Sequence, residues 1–300
     1  MRNSVEILMS TYNGEEFLRE QIESILHQRD VDIQLLVRDD GSNDSTIDIL
    51  SEYESKGLLN YYKGENLKPA KSFLDLLNHS DDSDYYAFSD QDDFWKEEKI
   101  ATAVESLKDY TAEPALYFSR TMLADRQLQP IGSVKINPKL TFGESLVYEF
   151  IGGCTMVFNK KLRNIVNRYN PEYVAMHDVW IYCVALAVGS KIVFDETPHI
   201  LYRQHGDNVI GQGYGKIESW KRRIKRILID NEQSRYRKAC EIKRGFYDIM
   251  PEENKSLIND FIDSKHNIKK RMALLHDKRL ECSDVSTWKR FRIAAILNTY

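Results

Sequence analysis

Apolar and polar positions change rhythm repeatedly along the first third of the chain. Residues 5–9 form a short apolar run of strand length, and residues 17–27 carry Phe17, Leu18, Ile22, Ile25 and Leu26 at helical spacing. The pair then recurs. Residues 33–37 predict a second strand, residues 46–53 a helix through Ile47, Ile49 and Leu50, and residues 59–62 a third strand. Residues 73–77 belong to a helix whose first turn holds Pro69, and residues 85–88 predict a fourth strand. This β-α-β-α order predicts an α/β fold with a mixed, mostly parallel sheet and helices on both faces. In such sheets ligands bind beyond the carboxyl ends of the strands. Three of the predicted ends carry polar clusters: Ser10-Thr11-Tyr12-Asn13, Asp39-Asp40 and Asp90-Gln91-Asp92-Asp93.

The pattern then becomes less regular. Residues 115–119, 155–158, 192–194 and 200–202 predict strands, and residues 177–188 a mostly buried helix. Residues 204–215 hold Gly206, Gly211, Gly213 and Gly215 and predict a mobile loop. From Lys216 onward the pattern is helical, with Trp220, Ile224, Ile227 and Leu228 in one apolar stripe flanked by Lys and Arg.

Charge sharpens this division. Residues 1–215 hold 21 Lys and Arg against 34 Asp and Glu, whereas residues 216–300 hold 21 against 12. The expected organisation is therefore a domain over 1–215 and a basic helical region over 216–300. At 42% hydrophobic and 29% charged residues, the 300-residue chain suits a globular protein with a full core. The longest apolar run, residues 179–189, is shorter than the roughly 18 residues a membrane span requires. The first residues lack a basic segment leading into an apolar one, so no secretory signal is expected. Cys154, Cys183, Cys240 and Cys282 form no C-x-x-C pair, which fits a reducing cytoplasm. Phosphate-binding G-x-x-x-x-G-K-[ST], strand-linked G-x-G-x-x-G, H-E-x-x-H and G-x-S-x-G motifs are all absent.

Five clusters carry candidate chemistry. Carboxylates crowded as in Asp90-Gln91-Asp92-Asp93 form either a solvated turn or a site for Mg²⁺ or Mn²⁺ that bridges to a diphosphate. Phe94 and Trp95 directly after them argue for the second, since exposed turns seldom carry two large aromatics. Asp39 and Asp40 open a turn whose far end, Asp44 or Ser45, can cap the next helix. At a strand terminus the two carboxylates can also accept the imide N–H of a pyrimidine or bond ribose hydroxyls. Thr11, Tyr12 and Asn13 are a plain loop or a surface on which a base stacks. His177-Asp178 either caps the buried helix or places Asp178 as a general base where water is scarce. Arg203 and His205, in Tyr202-Arg203-Gln204-His205-Gly206-Asp207-Asn208, are structural or contact a phosphate or metal.

Taken in order, these clusters resemble the inverting family 2 glycosyltransferases of the GT-A fold, over roughly residues 4–215. Within them, Ser89-Asp90-Gln91-Asp92-Asp93-Phe94-Trp95, His177-Asp178-Val179-Trp180 and residues 202–208 are similar to bacterial rhamnosyltransferases. The resemblance implies a nucleoside pocket at Thr11, Tyr12, Asn13, Asp39 and Asp40. It implies a metal-diphosphate motif at Asp90 and Asp92 with His205 as a further contact, and Asp178 as the base. Asp93, Trp95, His177 and Arg203 would touch diphosphate, sugar or acceptor. The chain departs from many members in having His177 where they have Glu, and it lacks the Gln-x-x-Arg-Trp of processive synthases. The implied reaction is metal-dependent inverting transfer of L-rhamnose from dTDP-β-L-rhamnose to a saccharide acceptor, a lipid-linked one included. A UDP-hexose or UDP-N-acetylhexosamine donor, or a non-catalytic nucleotide-sugar-binding subunit, are the alternatives.

The basic tail has three readings: packing on the catalytic domain, a homodimer contact, or contact with an anionic membrane. The stretch Trp288-Lys289-Arg290-Phe291-Arg292 is compatible with the last. It would place the chain in the cytoplasm, at the inner face of the cell membrane. Nucleic acid is not an expected partner, because the acidic front of the chain repels phosphates.

Overall fold

The computed structural model describes residues 2–133, 135–204 and 233–300. The core is a seven-stranded sheet built from β1 (Ser4–Thr11), β2 (Asp32–Asp39), β3 (Asn60–Lys63), β4 (Tyr85–Ser89), β6 (Ala115–Ser119), β9 (Val157–Asn159) and β10 (Lys191–Asp195). Its order is β10-β6-β9-β4-β1-β2-β3. Only β9 runs antiparallel to its neighbours β4 and β6. A second sheet, β5 (Phe94–Trp95), β11 (Ile200–Arg203), β7 (Met122–Ala124) and β8 (Pro130–Ser133), stands beside it.

Alternation along the strands divides the core. Val5, Ile7 and Met9 of β1 face α1 (Leu18–Leu26), α2 (Thr46–Ser55) and α4 (Lys99–Leu107). Leu8 of β1, with Phe88 and Phe118 of β4 and β6, faces α3 (Lys68–His79), α5 (Phe142–Val147), α6 (Lys160–Val166) and α7 (His177–Ala187). The same cluster continues into α8 (Ser234–Phe246), α9 (Glu252–Asp263), α10 (Ile268–Leu274) and α11 (Val285–Leu297). Covered on both faces, the parallel strands need no polar side, and β4 is buried throughout.

The expected strands, the helix with Pro69 in its first turn and the buried helix at 177 are all present. One boundary differs: Thr155 is not in β9 but in a 3-10 turn, Gly153–Thr155. The sequence pattern does not reveal β5, β7, β8, α4, α5 or α6. The glycine-rich loop beyond Gln204, His205 and the stripe at 220–228 lie outside the described residues.

Candidate active site

β1 leaves the sheet between β2 and β4, so their carboxyl ends open a crevice where the connections diverge. The polar clusters knit these ends together. Asp39 accepts the Thr11 hydroxyl at 3.1 Å and the backbone N–H groups of Gly41 and Ser42 at 3.0 and 2.9 Å. Gly41 turns the chain at φ +83°, a conformation that favours glycine. Asn13 accepts the Asn43 N–H at 2.8 Å, and its own N–H donates to Ser42 Oγ at 2.9 Å. Tyr12 stands at the rim with 47% of its surface exposed. Asp40 points into the protein, where it meets the Arg38 guanidinium, the Ser72 hydroxyl and the Leu67 N–H. Gln91, which the sequence reading does not single out, brackets the Tyr12 backbone: it accepts the N–H at 2.9 Å and donates to the carbonyl at 3.1 Å.

The acidic loop after β4 is held from below. The backbone N–H of Arg203 donates to Asp93 Oδ1 at 3.1 Å, and its guanidinium donates to the Asp92 carbonyl at 2.8 Å. The same guanidinium reaches the Arg126 carbonyl and the Glu20 carboxylate, and lies 4.4 Å from the centre of the Phe17 ring. Arg203, Asp93 and Trp95 are buried, and none of them lines the cleft above. Among the described residues, all three support the acidic loop. Lys99 closes this floor, its ammonium 3.4 Å from the centre of the Trp95 ring. Burial lowers Lys99 to about 7, against the pull of Cys154 and Asp93.

Ligand atoms of Asp90, Asp93 and Cys154 lie within 4.8 Å of one another. Burial, then the charges of Asp92 and Asp178, raise the pKa of Asp90. Asp93 is raised well above its usual range by burial, Asp92 and Asp90. Crowded carboxylate oxygens are the hard donors that Mg²⁺ and Mn²⁺ take, and a cation there would relieve their repulsion. The Cys154 thiol does not suit such an ion, because burial and the adjacent carboxylates keep it protonated.

Asp178 sits in the first turn of α7. Its carboxylate accepts the N–H of Gly153 at 3.0 Å and of Val179 at 2.7 Å. Both bonds favour the ionised form, yet burial dominates and raises the group from 3.8 to about 6. His177 stacks on Phe73 at 4.0 Å and meets Phe88 edge-on at 5.0 Å. Among the described residues neither ring nitrogen has a hydrogen-bond partner, and burial drops its pKa to about 3, so the ring is neutral.

Asp90, His177 and Asp178 line one cleft of about 230 Å³. Phe118, Leu123, Ile136, Phe150 and Ile151 supply an apolar wall, and Arg120, Cys154 and Tyr202 add polar groups. Arg120, Gly153 and Cys154 were not legible as site residues, because no motif surrounds them. The arrangement sets a partly desolvated carboxylate, poised to take a proton near neutral pH, beside an acidic loop suited to a cation.

The family described as Glycosyl transferase family 2 matches residues 6–165. The dTDP-rhamnosyl transferase RfbG of Shigella flexneri is 32% identical over 244 residues, 75% of this chain and 80% of that protein. The UDP-Glc:alpha-D-GlcNAc-diphosphoundecaprenol beta-1,3-glucosyltransferase WfaP of Escherichia coli is 23% identical, over 71% of this chain and 82% of its own. Among solved structures, S. aureus TarS 1-349 in complex with UDP-GlcNAc superposes with a TM-score of 0.60 at 16% identity, covering 98% of this chain and 81% of that one. The mannosyltransferase PcManGT of Pyrobaculum calidifontis, in complex with GDP-Man and Mn2+, gives 0.53 at 17% identity, covering 100% and 81%. The fold is GT-A, and the chain belongs to glycosyltransferase family 2.

Proposed function

We propose that this glycosyltransferase moves L-rhamnose from dTDP-β-L-rhamnose to a hydroxyl of a lipid-linked polysaccharide precursor, with inversion, at the inner face of the cell membrane. The observation that carries the chemistry is that Asp90 and Asp178, from loops far apart in sequence, line the same cleft. The likeness to the Shigella rhamnosyl transferase supports the donor. Residues 1–215 would form the catalytic domain and residues 216–300 a basic helical region docked against it.

The nucleoside would lie on Tyr12 and Asn13, its polar edge toward the turn that Thr11, Asp39 and Asp40 hold in shape. Asp90 and Asp92 would hold a divalent cation, Mg²⁺ or Mn²⁺, and His205 is retained as a further contact. When bound, the cation supplies positive charge for the departing diphosphate. Asp178 takes the proton of the acceptor hydroxyl as that oxygen bonds to the anomeric carbon and the bond to the diphosphate oxygen breaks. Its elevated pKa suits this step, because a base is most effective near the working pH. Gly153 and Val179 keep the carboxylate aimed. Arg203 keeps Asp92 and Asp93 in place rather than meeting the leaving group itself. The neutral His177 bounds the acceptor side of the cleft.

A UDP-hexose donor is the second reading, favoured by the donor in the name of the Escherichia coli relative. Donor hydrolysis measured with dTDP-L-rhamnose, UDP-glucose and UDP-N-acetylglucosamine, each with and without Mn²⁺, decides between them. Turnover of dTDP-rhamnose that stops on chelation is expected; preference for a UDP sugar would replace the donor. No hydrolysis or transfer with any donor would leave a binding subunit.

A further inference from the structure

We propose that α10 and α11 together form the face by which the chain lies on an anionic lipid surface. This deepens the reading of a lipid-linked acceptor, but its test does not depend on turnover. Among the described residues, ten large apolar side chains are strongly exposed, and six of them lie on these two helices. They are Ile268 and Met272 on α10, and Val285, Ile293, Ile296 and Leu297 on α11, with exposures of 39% to 66%. The remaining four, Tyr12, Leu58, Ile131 and Ile249, lie on other segments. Single exposed apolar residues need no explanation, whereas a concentration on two packed helices does.

The expectation from sequence named Trp288 and Phe291 as the membrane-compatible aromatics. The structure turns them inward. Phe291 is fully buried against Phe261 and Tyr300, and Trp288 stacks on Phe291 at 5.7 Å. The opposite face of α11 is the one presented. Residues 285, 289, 292, 293 and 296 share it, spaced as successive helical turns require.

Charge selects the occupant. Lys269, Lys289 and Arg292 are exposed on these helices, and none makes an ion pair among the described residues. The acids nearby are engaged: Asp277 with Arg279, Glu281 with Lys139, and Asp284 capping α11 through the Thr287 N–H. Unpaired cations interleaved with aliphatic residues match the boundary between anionic headgroups and acyl chains. A second copy of the chain docked by the same patch would set these cations against their own images, at a cost.

The test is vesicle co-sedimentation of the full chain, with phosphatidylcholine vesicles and with phosphatidylcholine–phosphatidylglycerol vesicles, at low and high salt. Binding is expected only with the anionic vesicles and should weaken with salt. The double variant Lys289→Ala/Arg292→Ala should lower the partition coefficient roughly 25-fold, about fivefold per cation. Ile293→Asp/Ile296→Asp should abolish binding. Both pairs are solvent-exposed, so circular dichroism and donor hydrolysis should stay as in the parent. Failure of the parent to bind anionic vesicles, or binding that both variants retain, overturns the proposal while leaving the donor chemistry untouched. Concentration-dependent dimers in sedimentation velocity that Ile293→Asp/Ile296→Asp dissolves would also overturn it, in favour of a self-interface.

Discussion

In the proposed mechanism, Asp178 is the residue whose physical state most directly sets the chemistry. A carboxyl carried from 3.8 to about 6 by burial must be ionised to act as base, so turnover should rise with pH through about 6 and level above it. Asp178→Asn keeps one of the two oxygens, enough to accept either the Gly153 or the Val179 N–H bond but not both, and it cannot take a proton. We predict a loss of at least roughly 1,000-fold in kcat with donor binding preserved, read by steady-state kinetics and calorimetry. The variant should gain stability relative to the parent as pH rises from about 4 to above 6. Holding the buried carboxylate ionised costs about 3 kcal/mol above pH 6. Below about pH 4 the group is protonated in folded and unfolded chains alike, so the advantage of Asn vanishes there. Equal melting temperatures at pH 5 and pH 8 relative to the parent would contradict the burial argument. Lys99 acts from beneath. The pull of Cys154 and Asp93 favours its charge, but burial outweighs it. Lys99→Met removes a buried ammonium that has no hydrogen-bond partner among the described residues and whose charge burial disfavours, so it should raise the melting temperature in EDTA. It should also enlarge the rise on adding Mn²⁺, a coupling that lost packing alone would not produce. The strand-end positions of Thr11, Asp39 and Asp90 were legible because apolar runs stop abruptly there. The burial of Asp93, Trp95 and Arg203 was not, since it depends on β11 returning to the acidic loop from more than a hundred residues away.

At the scale of elements, the join between α7 and the Gly153–Thr155 turn decides the aim of the proposed base. Here the sequence is silent, because the turn is defined by what it touches. A Cβ at Gly153 would sit 2.4 Å from His177 Nε2, and 3.4 Å from Asp178 Cβ. His177 cannot yield, being stacked on Phe73 with Phe88 at its edge. Gly153→Ala should therefore push the turn away and lengthen the bond from Gly153 N–H to Asp178. A fall in kcat of about 100-fold, with a small change in donor KM, is the expected signature of a misaimed base. A loss confined to KM would mean that the turn serves donor binding instead. Periodicity identified the strands and helices as far as Ser89 because each buries a continuous face. It missed β5, only two residues long, and β8, exposed throughout, because neither leaves an apolar run to read.

For the molecule as a whole, the charge switch near residue 215 points to two parts, yet the described helices beyond it share a core with the sheet. All eleven residues of α7 are buried, with Trp180 against Phe246 of α8 at 5.9 Å. Lys238 of α8 donates to the Ser145 carbonyl at 3.0 Å and to Glu149 at 2.8 Å, so an ion pair joins the parts as well. Glu144, within α5, accepts the Ser283 N–H at 2.7 Å. Charge composition reports what faces water, and it could not reveal a shared apolar seam. The consequence is cooperative unfolding. Gly143 of α5 lies tight against the second part: a Cβ added there would fall 1.8 Å from the Arg279 carbonyl oxygen. Backbone on both sides leaves no side chain to yield, so Gly143→Ala should destabilise by about 1–3 kcal/mol. That loss should shift one single transition in calorimetry and in intrinsic fluorescence together. If the seam were a mere docking contact, the variant would split the melt in two, with an early step that frees residues 233–300 to protease and a later one unchanged from the parent.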